Sequence, residues 1–298
     1  MIRIALFLLL LAAIRAPAQT QRIQIAEIEY FGTKGVDLVK VKASSPIHEG
    51  EQFSLDRLSD VVSQIRSSIR ESTGKDSTDV GPVCCDIQNN WMIYIGLHGQ
   101  NMESFHYNRI ATSGIHFPSQ VVLLYRETMD LLLPSIEAHA TEDRSRGYAI
   151  STYPPLRAKQ LAMREYATHH ADLIRRILKN SSDSEQRTVA AQFLGYANHN
   201  NLQILSLVNA SFDSDEGVRN NAVRALGVLA ESSPEIAKSI PAEKFVSMLN
   251  SGIWKDRNKA SYLLGVLSRS RNPALLSLLR RRALTSLIEM ARWREFGH

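Results

Sequence analysis

The chain has 298 residues, 44% hydrophobic and 22% charged, with 15 glycines and a formal net charge of +5. That composition supports one large domain or two ordinary ones, and it excludes a disordered, collagen-like or low-complexity chain. Only two cysteines are present, too few for a disulfide-stapled miniature fold or a multi-cysteine zinc protein.

Arg3 supplies a positive start, Ile4 to Ile14 is an unbroken apolar run, and Ala16-Pro17-Ala18 places small residues where a signal peptidase reads. This three-part layout predicts a secretory signal over residues 1–18, cleaved before Gln19. The run is too short to cross a bilayer, which takes about 20 residues, and no Cys follows it to carry a lipid. No later stretch approaches a transmembrane span. The expected destination is the periplasm or the medium. Loss of Arg3 and Arg15 would lower the charge from +5 to +3, with 33 basic against 30 acidic residues.

Residues 22–99 mix periods. Gln21 to Gly32 alternates in part and favours a strand, Val36 to Ser44 predicts a short helix stopped by Pro46, and Gly50-Glu51-Gln52-Phe53 leads into a second helix with Ser54 as its N-cap. That helix carries Leu55, Leu58, Val61, Val62, Ile65 and Ile69 at three- and four-residue steps, and it ends near Gly74. Val80 to Ile87 and Trp91 to Leu97 predict a hairpin, with Trp91, Ile93, Ile95 and Leu97 on one face. The expected order is β-α-α-β-β, an α+β module with one helical layer over a small sheet.

Cys84 and Cys85 are adjacent. Neighbours on a strand point to opposite faces, so pairing demands a strained turn. They read either as two small strand residues, one buried and one exposed, or as a redox pair forming a vicinal disulfide or an intermolecular bridge.

The order of elements, with Ile28-Glu29-Tyr30-Phe31-Gly32, Gly50-Glu51-Gln52-Phe53 and the terminal hairpin, resembles a POTRA domain over about 75 residues. The resemblance implies a module outside the cytoplasm that binds partners by adding a strand to an open sheet edge. It implies a role as an accessory to envelope assembly or secretion. The membrane barrel that usually follows such modules is missing.

Residues 100–155 form a bridge. Met102 to Pro118 shows no period. Ser119 to Thr141 predicts one helix, through Val122, Leu123, Met129, Leu132, Leu133 and Ile136, kinked before Pro134. Thr141 to Pro155 reads as an exposed loop.

Residues 156–298 repeat. Arg187 to Gly195, Arg219 to Gly227 and Arg257 to Gly265 each fit Arg-x-x-Ala-x-x-(apolar)-Leu-Gly. Periodicity of this kind predicts an α-solenoid of stacked helical hairpins, none of which can bury its core alone. Ala keeps the shared face thin, Leu fills the space between layers, and Gly allows close approach at about 1 kcal/mol of helix propensity. Leu173 to Leu178, Leu202 to Ala210 and Phe245 to Leu249 supply the alternating helices, and Pro273 to Trp293 the closing one. Asp213-Ser-Asp-Glu-Gly-Val-Arg-Asn-Asn-Ala222 resembles a bacterial HEAT repeat. In that family an Asp and an Arg form a ladder between successive repeats, which implies Asp183 with Arg187 and Asp215 with Arg219. In the third copy Asp256 adjoins Arg257, leaving the ladder partner of Arg257 open.

Catalytic chemistry is thin. The metalloprotease, nucleophile-elbow and P-loop motifs are absent from the sequence. His169 and His170 are adjacent, and a helical metal pair prefers i and i+4. Residues 251–298 hold ten Lys or Arg against three acids, densest at Arg280, Arg281 and Arg282. That run reads as a solvated cap or a patch for an anionic partner, with nucleic acid disfavoured by export. The expectation is a non-enzymatic scaffold, without cofactor, that binds a protein or peptide through its helical array. The rival enzyme reading would need His106, His116 or Glu127, gathered across the bridge.

Overall fold

The structure, a computed structural model, describes residues 22–86, 88–100, 102–103, 105–109 and 111–292. The expected signal at 1–18, Ile87 of the hairpin and the terminal residues 293–298 lie outside these.

The amino-terminal part is a four-stranded mixed sheet in the order β2-β1-β4-β3. Its strands are β1 (Arg22–Phe31), β2 (Gln52–Ser54), β3 (Asp79–Cys84) and β4 (Trp91–Gly96). Helices α1 (Leu38–Ala43) and α2 (Leu58–Thr73) lie between them in sequence. Asp37 caps α1, and Gly74 ends α2 in a left-handed conformation at φ +71°. β1 and β4 run parallel; β2 and β3 pair antiparallel with them.

The order β-α-α-β-β needs one correction. Gln52-Phe53-Ser54 is a strand of its own, because burying Phe53 sets its backbone beside Ile23. A 3-10 turn over Leu55–Arg57 then precedes α2, so Ser54 caps no helix and its hydroxyl meets Asp56 instead.

The sheet is covered on both faces. Ile23, Ile25, Ile93 and Ile95 pack with Val61, Ile65 and Ile69 of α2. Phe31, Val83, Met92 and Tyr94 belong to the core of the helical half. β4 is therefore buried from both sides and reads as a near-continuous apolar run, where alternation exposes only one buried face.

The carboxyl-terminal part is helical. α3 (Ser119–Asp130) and α4 (Leu132–Glu137) break at Leu131, three residues before Pro134. A two-strand hairpin, β5 (Glu142–Asp143) and β6 (Ile150–Ser151), replaces the expected exposed loop. It is held down because Tyr196 donates to the Ala149 carbonyl and Arg164 stacks on Tyr148. α5 (Pro154–Asn180) is far longer than its Leu173–Leu178 stripe, and kinks at His170.

There follow α6 (Ser184–Leu194), α7 (Asn201–Ala210), α8 (Glu216–Ser232), α9 (Pro234–Ser239), α10 (Ala242–Leu249) and α11 (Trp254–Ser268). The expected closing helix is two, α12 (Pro273–Arg282) and α13 (Leu284–Met290), parted at Ala283. α6, α8 and α11 pack side by side in one row; α5, α7 and α10 each back onto the next member of that row.

The repeat stripe forms the contact. Ala190, Leu194, Ala222, Leu226, Ala260 and Leu264 are all buried to 1% exposure or less. Two glycines serve close approach. A Cβ at Gly195 would lie 2.9 Å from the Ala225 Cβ, and one at Gly227 would strike the Tyr262 ring at 2.1 Å. Gly265 faces open space, with no neighbour packed against it among the described residues.

The bridge lies along this array. Glu103 N–H donates to the Asn250 carbonyl, Asn108 N–H to Phe212, Ser113 N–H to Asn180, and Phe117 N–H to the Gln186 side chain. The described residues of the segment 102–117 thus strap the turns after α10, α7 and α5, against the direction of the chain. The sheet docks on the same side: Trp254 N–H donates to Asp79 and the Thr78 hydroxyl to the Gly252 carbonyl.

Candidate functional site

The three repeat arginines are buried, and each reaches forward to the next helical pair. Arg187 bonds Asp213 in bidentate fashion at 2.8 and 2.9 Å. Arg219 bonds Asp256 at 2.9 Å, and Arg257 bonds Glu289 at 3.2 Å. The same guanidiniums satisfy turn carbonyls: Ser181 by Arg187, Asp213 and Ser214 by Arg219, Leu249 by Arg257. Arg257 also stacks 3.4 Å over the Phe31 ring, which fixes the sheet to the array.

The ladder partners differ from those implied by the repeat. Asp183 and Asp215 are the N-caps of α6 and α8, accepting from Glu185, Gln186 and Val218 N–H groups. The carboxylates that pair are Asp213 in a turn, Asp256 in the first turn of α11 and Glu289 in α13. They share no register, so repeat spacing could not find them. The third copy has its partner after all.

Burial acts on two of these acids. It pushes Asp256 upward despite the bond from Arg219. It pushes Glu289 up to about 7, against the attraction of Arg257. A carboxyl raised in the folded state binds protons that the unfolded chain has released, so stability falls as pH rises from the ordinary carboxylate range to about 7. Glu289→Gln should therefore flatten the stability–pH profile, gaining on the order of 1–3 kcal/mol relative to wild type between pH 5 and pH 8. Urea titrations at both pH values measure it, and parallel profiles would refute it.

Beside the first rung lies an open groove of about 1140 Å³. Arg109 of the strap forms one wall, Arg175, Arg176 and Lys179 of α5 another, and Leu202 and Leu205 of α7 a third. The Arg187–Asp213 pair also lines it. The two leucines are 58% and 64% exposed, because the buried face of α7 is Gln203, Ile204, Leu207 and Val208. Asn108 pins the strap wall by donating from its side chain to the Asn209 carbonyl. In the sequence Arg187 reads as a repeat position and Leu202 and Leu205 as part of a packing helix, and nothing there marks a groove between them.

The other candidates are dispersed. Arg282 is engaged by Glu103, Glu243 and Ser247, Arg281 meets Ser277, and Arg280 is exposed. The triple arginine is thus no single patch, since its last member locks the strap. Cys84 and Cys85 are joined in a vicinal disulfide; the reading as two separate thiols, one buried, gives way, with Cys84 exposed and Cys85 half-buried. His116 sits 3.9 Å from Asp183, Glu127 is bonded by Lys159, and His106 is exposed on the strap. His169 faces the Glu165 carbonyl and His170 stacks on Tyr166. Among the described residues no three His, Cys, Asp or Glu are grouped to hold a metal ion, and no helix is long and apolar enough to cross a membrane.

No family model matches the chain, and no curated protein matches it.

Proposed function

We propose that this chain is an exported, non-enzymatic scaffold whose HEAT-like helical solenoid binds a protein or peptide partner in the groove between α5 and α7. The observation that carries the reading is that groove: open, walled by side chains fixed on packed helices and a pinned strap, and presenting exposed leucines beside cations. Concave sites of this kind on rigid elements bind at low conformational cost. The ladder and strap are stability devices that hold its walls in register.

Strand addition to the POTRA-like module is the weaker reading. One sheet edge, β2, is three residues long, and the other, β3, carries Pro82. Short edges and edge prolines resist pairing with a further strand.

A photo-reactive side chain placed at position 205 of the full chain should cross-link one partner in the envelope fraction. The same group at the exposed Leu276 of α12 should not. Equal yields at both positions would remove the groove from the reading.

A further inference from the structure

We infer that the partner segment seated between α5 and α7 is acidic and apolar together: a peptide whose carboxylates meet Arg109, Arg176 and Lys179 while its apolar side chains cover Leu202 and Leu205. This rests on the scaffold reading above and names its partner's chemistry.

Charge sets the first requirement. The groove is lined by five cations, Arg109, Arg175, Arg176, Lys179 and Arg187, against two acids, Asp172 and Asp213. Both acids are spent, Asp172 on Arg175 and Asp213 on Arg187. The remainder is +3, and Arg109, Arg176 and Lys179 form no ion pair among the described residues. A neighbouring depression shares Asp172, Arg175 and Arg176 and is lined by His169 and His170, so the concave surface continues along α5 to its kink. A basic segment would be repelled here, and a field of one sign speeds encounter with the opposite one.

The leucines set the second requirement. Leu202 and Leu205 stand three residues apart, so they share one side of α7. Both are more than half exposed, and only an apolar group can recover that surface from water. A purely charged polymer, nucleic acid included, would leave them wet. An acyl chain would need an enclosed apolar tunnel, whereas this groove is open and shares its walls with Asn108, Asn180, Ser206 and Asn209. Those three amides and the Ser206 hydroxyl suit a peptide backbone.

A randomised peptide-display library selected on the full chain, with counter-selection on Leu205→Asp, tests this. Enriched sequences should be net negative and rich in Leu, Ile or Phe. Their affinity should fall roughly tenfold in Arg176→Glu/Lys179→Glu and in Leu205→Asp, and fall further with added salt. Arg280→Glu/Arg281→Glu should bind unchanged. All these positions are exposed, so thermal melts should match wild type. Basic or neutral groove-dependent sequences would overturn the acidic partner and leave the scaffold standing. Failure of any groove-dependent sequence to enrich would sink both. Groove-dependent capture of anionic lipid vesicles in place of peptides would overturn the peptide assignment.

Discussion

Asp256→Ala should destabilise the protein by roughly 3–5 kcal/mol, a large share of the 5–15 kcal/mol typical of a folded domain. Asp256 is 1% exposed and Arg219 2% exposed. Truncating the acid strands a guanidinium that cannot reach water, and an uncompensated buried charge is among the costliest defects available. Arg219 could not simply retreat, because it also serves the Asp213 and Ser214 carbonyls of the turn between α7 and α8. Asp256→Asn should cost much less. Its amide oxygen still accepts from Arg219, and burial already favours the uncharged acid at this position. The joint replacement Arg219→Met with Asp256→Leu should recover a good part of the single-mutant loss, since the desolvation of both charges disappears with them. Equilibrium urea unfolding of the four proteins decides it. If Asn costs as much as Ala, and the double replacement more than either, the pair supplies net stability and the argument from desolvation is wrong.

The repeat was legible because it is local and periodic. Arg-x-x-Ala-x-x-(apolar)-Leu-Gly fixes which residues of α6, α8 and α11 face one another, and the six Ala and Leu positions are buried as that spacing requires. What the spacing could not supply was each arginine's partner. Asp213, Asp256 and Glu289 lie 26, 37 and 32 residues beyond their arginines, at three different places in turn and helix. The same limit applies to the strap. Its described residues belong to no helix or named strand, and the backbone donors of Glu103, Asn108 and Ser113 are satisfied by turns far along the chain. Long-range satisfaction of this kind leaves no local signature.

The sheet shows the limit in another form. Alternation in β4 exposes Trp91, Ile93 and Ile95, whereas Met92 and Tyr94 are equally apolar and equally buried, against the helices. The groove is the least legible feature of all. Leu202 and Leu205 look like core leucines in any pattern, and only the packed position of α7 shows which of its sides is left uncovered.

Leu226→Asp should exceed every other single substitution here, at more than about 5 kcal/mol, and leave the array without a stable fold. Leu226 is wholly buried in α8, the middle member of the packed row α6, α8 and α11. Removing the side chain alone costs about 2–5 kcal/mol, and a carboxylate placed there adds its desolvation. Ala222→Arg acts at the same seam, where alanine was required for thinness, and should be comparably severe. Two controls give the prediction its edge. Gly227→Ala should destabilise because its methyl meets the Tyr262 ring, whereas Gly265→Ala, in open space, should be neutral or slightly stabilising through helix propensity. The shared core adds a consequence. Phe31, Met92 and Tyr94 pack into the same cluster as Leu226, so the sheet loses its lower layer when the array melts. Far-ultraviolet circular dichroism and Trp91 fluorescence, read with Trp254→Phe and Trp293→Phe in the background, should then report one coincident transition. A Leu226→Asp protein that keeps a separate cooperative melt at Trp91 would show the sheet to be an independent domain merely resting on the helices.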